Sequence, residues 1–289
     1  MTLPTRLTLA LCSLVITGCA HKLESRPLSH EAATRGIRVV HEMPQKLPSE
    51  LSKIEGTQYV LVFAESTTLA LVDNLLPLPV SVTGPIAAAY QDHEAEQLRT
   101  TYARVDPQPI ALEAFQGSPL LSQRDDAVRL MPLVYLVEDN QDVFRPTLVF
   151  RLEQGDWQGR YLYHLPTSYT EDQVLKASPV VLETLRRELA QGSRVLRQLI
   201  ERDARGELVG DGRRVKYGSY HIVGSRISGV VSASIYTFAD AQLLEEAPDH
   251  VILRSSGADG VGAREGSLAF GVHHFFRNQL HTYEVMPAK

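Results

Sequence analysis

The chain has 289 residues and a formal net charge of -5, with 44% hydrophobic and 22% charged residues. That balance is ordinary for a globular protein and offers no basic footprint for a nucleic acid. Beyond the N-terminus no apolar run approaches the roughly 20 residues that a membrane-spanning helix needs.

Residues Met1 to Gly18 have the three zones of an export signal. Arg6 supplies a weak positive start, and Leu7 to Ile16 form an uncharged apolar run. The run is long enough for a signal and too short for a permanent span. It closes on Ile16-Thr17-Gly18-Cys19, which resembles the lipobox of bacterial lipoproteins: an aliphatic residue, two small residues and the acylated cysteine. The resemblance covers only the first twenty residues. It implies cleavage before Cys19, lipidation there, and an anchor of three acyl chains, well beyond the marginal hold of one. Ala20 is not acidic, which by the usual sorting rule of such lipoproteins implies a periplasm-facing position on the outer membrane. The other cysteine is Cys12. A chain cut before Cys19 therefore has no thiol left for a disulfide, a zinc cluster or a nucleophile, and its fold depends on its core alone.

From Ala20 to Gly56 the chain is polar and holds Pro27, Pro44 and Pro48. It is expected to be a tether carrying the body off the membrane, or else an arm packed on that body. The body is expected over residues 57–289, with a possible subdivision near 206–214. Gln58 to Ala64 reads as a strand buried on both faces. The prolines of Val72 to Val80 forbid a helix interior, and a helix is expected from about Ile86 to Arg104. Val128 to Val137, Val143 to Leu152 and Trp157 to Leu165 read as three strands joined by short turns, hence an antiparallel meander.

Thr170 with Gln173 fits a capping box, and Ser178-Pro179 fits an N-cap followed by proline. Leu182, Leu185, Leu189, Leu196 and Leu199 form an apolar helical seam in which Gly192 takes one place. Val215 to Val223, Val230 to Phe238, Val251 to Ser255 and Phe270 to Phe276 read as strands, the last extending towards Val285. The resulting fold class is α+β: antiparallel sheets, with a three-stranded meander packed against long amphipathic helices.

Catalytic signatures are weak. Gly224 to Gly229 lacks the glycine spacing of a nucleophile elbow and reads as a turn. His221, His250, His273, His274 and His281 lie late in the chain. The adjacent pair His273-His274 points to opposite faces of a strand, so the two cannot easily share an ion. No HExxH or cysteine ligand set is present, and neither a metal nor a cofactor is expected. The glycine-rich span Ser255 to Gly266 lacks the Walker ending and the dinucleotide order, and it reads as a loop. Asp125-Asp126 and Glu245-Glu246 read as solvated charges rather than a glycosidase pair.

The best candidate binding surface is Trp157, Tyr161 and Tyr163 with Arg160, because aromatics and arginine are enriched at interface hot spots. The blander alternative is that these rings pack beneath the helix that follows. The leading functional expectation is a non-catalytic envelope protein. It would reach the membrane through its lipid and bind an unidentified envelope protein or glycan, with no nucleic acid. A lipid-anchored hydrolase of wall, glycan or ester substrates and a small-ligand sensor are the alternatives.

Overall fold

The computed structural model describes residues 25–44, 52–62, 98–139, 143–221, 236–256 and 268–286. The export signal with its lipobox, the prolines of Val72 to Val80, the turn Gly224 to Gly229 and most of the glycine-rich span lie outside the described residues. So does most of the helix expected over Ile86 to Arg104, of which residues 98–102 are helical.

A short helix, α1 (His30–Arg35), leads into β1 (Ile37–Val39), followed by β2 (Ser52–Lys53), β3 (Tyr59–Val62) and α2 (Pro107–Phe115). Three long strands come next: β4 (Val128–Glu138), β5 (Val143–Gln154) and β6 (Trp157–His164). After β7 (Tyr169–Thr170), α3 (Glu171–Lys176) and α4 (Pro179–Ala204) come β8 (Arg214–Ser219), β9 (Tyr236–Glu246), β10 (His250–Ser256), β11 (Phe270–Phe276) and β12 (Thr282–Met286). Among the described residues the strands form one sheet of 12. Its main path runs β12-β8-β9-β10-β11-β6-β5-β4-β3-β2, with β1 on β4 and β7 on β5.

This corrects the expected fold class. Antiparallel sheets packed against long amphipathic helices give way to one large mixed sheet with few helices. β1 and β3 both lie parallel to β4, and β11 lies parallel to β6. Of the helices named here only α4 exceeds nine residues. The physical reason is connection length. Short turns force antiparallel neighbours, as in β4-β5-β6, whereas long connections leave strand direction free.

Pro132 illustrates how local chemistry fits this topology. β1 pairs with β4 as far as Leu130, and β3 takes over at Val134. The Val134 N–H and the Leu130 carbonyl both bond outward on this edge, to Gln58 and Val40. Backbone groups repeat every two residues, so the missing N–H of Pro132 falls in the gap between the two partners, where the described ladder needs no donor.

α4 begins where the sequence signals it. Ser178 Oγ accepts from the Val181 N–H at 3.4 Å and proline occupies the first turn. It stops at Gly206, whose φ of 71° suits a residue without Cβ. Leu182, Leu185, Leu189, Gly192, Leu196 and Leu199 are all buried. Each such leucine contributes about 1.5–3 kcal/mol of burial. Gly192 sits where a Cβ would come within 2.6 Å of the Tyr163 ring, so the helix backbone lies directly on β6.

The expected tether is corrected for residues 25–44. Leu28, Ala32 and Ile37 are buried in the main core, and β1 pairs with β4, so this stretch is an arm built into the body. Apolar residues at Leu28, Ala32 and Ile37 gain more from burial than a solvated linker would give them.

Candidate functional site

The candidate surface does not form. Tyr161 and Tyr163 are each 2% exposed and belong to the core beneath α4. Trp157 is half-buried against the same core, its ring over Gly159, where a Cβ would meet it at 2.6 Å. Alternation turns Arg160 to the other face, where it is 3% exposed and its guanidinium lies 5.6 Å from the centre of the Phe270 ring. The physical reason is that β6 is interior to the sheet and covered on both sides, so a stripe of rings on one face is core rather than contact surface.

The Tyr161 hydroxyl takes part in a buried polar latch. It donates to Asp203 Oδ2 of α4 at 2.5 Å, and Arg254 Nη2 of β10 donates to Asp203 Oδ1 at 2.6 Å. The Leu28 N–H donates to the same carboxylate at 3.3 Å. Asp203 and Arg254 are 3% and 8% exposed, so the pair is desolvated and each charge depends on the other. One carboxylate thus ties the N-terminal arm, the long helix and two strands together. Desolvation by burial and the adjacent Asp203 charge hold the Tyr161 hydroxyl well above its ordinary pKa, so it stays a donor.

The opposite face carries a cluster of imidazoles. Thr147 and His164 are paired across β5 and β6, with Thr147 Oγ1 3.0 Å from His164 Nδ1. His164 Nε2 lies 3.2 Å from His273 Nδ1 of β11. The His221 ring meets His164 edge-on with centroids 5.1 Å apart, and Phe275 stacks on His164 at 4.0 Å. Tyr217 of β8 reaches the Phe275 ring at 5.6 Å. β8 and β11 are three strand positions apart, about 14 Å in a flat sheet. The sheet must therefore curl to bring these rings together, closing a second small core of β8 to β11 residues.

Burial pushes His164 well below its ordinary pKa, helped by the neighbouring His221, His273 and His274. Burial likewise pushes His221 and His273 down to about 3, with Arg145 and His281 adding to the effect on His221. Arg145 is itself held by the fully buried Asp139 at 2.8 Å and lies over the Tyr220 ring at 5.3 Å. The three imidazoles are neutral at pH 7. Thr147, His164 and His273 have the connectivity of a nucleophile, a base and an orienting group. Each has 0% exposure, however, so no substrate meets the hydroxyl in this state. The chain instead pairs Thr147 Oγ1, both His164 nitrogens and His273 Nδ1 within the core.

His273 and His274 do point to opposite faces. His274 stacks on His250 at 4.7 Å and lies tilted against Tyr163 at 5.1 Å, away from His164. His250 is partly exposed, with Nδ1 2.8 Å from Asp249 and Nε2 3.4 Å from Glu245. Among the described residues no group of three His, Cys, Asp or Glu side chains is placed to hold a metal ion, and no helix is long and apolar enough to cross a membrane. Asp125 and Asp126 are exposed and engaged by Arg38 and Arg124, far from any arrangement of facing carboxylates.

Sequence reasoning missed the centrality of His164, Thr147, Asp203 and Arg254. No local signal marked it: the second alternating face of this strand, Gln158, Arg160, Leu162 and His164, is mostly polar and reads as solvated although the sheet covers it. Compared with known protein families, curated proteins and solved structures, the chain matches none.

Proposed function

We propose that the protein is a lipid-anchored component of the bacterial cell envelope, facing the periplasm from the outer membrane and working by binding another envelope protein or glycan. The observation that carries this reading is the sequence of the N-terminus: a positive residue, an apolar run, then Ile16-Thr17-Gly18-Cys19. The burial of the Thr147-His164-His273 chain supports binding over turnover, since the group best connected for acyl transfer is sealed from solvent. The partner-binding surface lies elsewhere than Tyr161 and Tyr163.

The test is affinity capture of the membrane-anchored protein from detergent-solubilised envelopes, paired with turnover assays on wall fragments and ester substrates. Stoichiometric recovery of one envelope component agrees with the proposal. Turnover that is lost in a Thr147→Val or His250→Gln variant, with no specific partner recovered, favours the anchored hydrolase instead.

A further inference from the structure

The latch around Asp203 fixes where the chain enters the body, and that entry point has a place in the sheet. Leu28 is 4% exposed and bonded to Asp203, and the Ser25 N–H donates to Ser256 Oγ at 3.4 Å. Ser256 is the last residue of β10. The same end of the sheet holds the start of β11, because β10 and β11 are antiparallel and Ser256 pairs with Phe270. It also holds the start of β6, parallel to β11, and hence the exposed turn at Gly155 and Asp156 with Trp157 beside it. His250, at the other end of β10, is six residues from Ser256, or about 20 Å along the strand.

Six peptide steps separate Cys19 from Ser25. A fully extended chain gains at most about 3.6 Å per step, so the leash from acylated cysteine to body cannot exceed roughly 22 Å. We propose, resting on the lipoprotein reading above, that the end of the sheet carrying Ser256, Asp156 and Trp157 faces the lipid headgroups, and that the end carrying Asp249 and His250 points away from the membrane. The leash is about as long as β10 and far shorter than a tether from Ala20 to Gly56 would be. The arm is locked into the core before it can act as one, which leaves the Asp249 end and the neighbouring Glu246, Arg277 and Tyr283 presented to partners in the periplasm.

Trp157 is the chain's single tryptophan and serves as a native reporter. The lipidated protein is reconstituted into phosphatidylethanolamine/phosphatidylglycerol vesicles containing dansyl-labelled phosphatidylethanolamine. Energy transfer from Trp157 to the headgroup dye is compared with that from a Trp157→Phe/Asp249→Trp variant, which moves the donor to the other end. Transfer at least twofold stronger from Trp157 is expected. Equal transfer from the two positions, or stronger transfer from position 249, overturns the orientation.

Should the relocated variant fail to fold, the wild-type protein alone decides the matter. Transfer from Trp157 no greater than for unanchored Cys19→Ala protein mixed with the same vesicles overturns it too. Failure of the anchor is read separately. Protein that carries no fatty acid and does not float with the vesicles contradicts the lipoprotein reading, and the orientation falls with it.

Discussion

Lowering the pH from 7.5 to 5.0 adds protons to histidines in the unfolded chain that the folded chain refuses. His221 and His273 are pushed down to about 3 and His274 to about 4, all by burial first. An unfolded histidine titrates near 6.5. Between that value and the folded one the unfolded state binds more protons, so stability is full above pH 6.5 and falls as the pH drops. By pH 5.0 each of the three has cost about 2 kcal/mol, roughly 6 kcal/mol together. His164, shifted in the same direction, adds to the loss.

Carboxylates stay mostly ionised in both states down to pH 5, so the imidazoles dominate this window. A loss of that size is a large part of the stability of a typical domain and lowers the melting temperature by about 12–24 °C for a body of this size. Thermal unfolding followed by circular dichroism at half-unit pH steps is the assay, and a His273→Phe variant should show a visibly shallower slope. A melting temperature unchanged between pH 7.5 and 5.0 would refute the burial of neutral imidazoles.

Two further perturbations probe the packing of α4. Gly192→Ala gains about 1 kcal/mol in helix propensity but places a Cβ 2.6 Å from the buried Tyr163 ring. Overpacking of about 1–3 kcal/mol is expected to win, so the urea midpoint should fall; a stabilised variant would contradict the close approach of helix and strand. Asp203→Ala leaves the Arg254 guanidinium, the Tyr161 hydroxyl and the Leu28 N–H without their common acceptor. A loss of about 3–5 kcal/mol is expected, together with faster proteolysis between Ser25 and Val40. An unchanged cleavage rate there would show that the latch does not hold the arm.

What the sequence revealed was what is local. The capping box of Thr170 and Gln173, the Ser178-Pro179 start and the leucine seam containing Gly192 are each set within one helix. The ends of β5, β6, β10 and β11 fall within about two residues of their alternating patterns, helped at β5-β6 by a two-residue turn. The parallel pairings were not legible, since β6 and β11 are brought together across more than a hundred residues. The same holds for the polar networks. Leu28 meets Asp203 from 175 residues away, and His164 meets His273 from 109.

The aromatic stripe of β6 failed as a surface for a related reason. Period-two alternation tells which residues share a face but not which faces are covered, and here both are. The N-terminal arm failed as a tether because three widely spaced apolar residues, Leu28, Ala32 and Ile37, carry no periodicity that stands out in a polar segment.

Metabolic labelling with tritiated palmitate, in cells with and without the lipoprotein signal peptidase inhibitor globomycin, probes the proposed lipid anchor at Cys19. The expected result is label in the wild-type protein, accumulation of an uncleaved lipidated precursor under globomycin, and loss of both label and membrane retention in Cys19→Ala, whose body still melts cooperatively. A wild-type protein that takes up no palmitate, or a Cys19→Ala protein still held in the outer membrane, would contradict it.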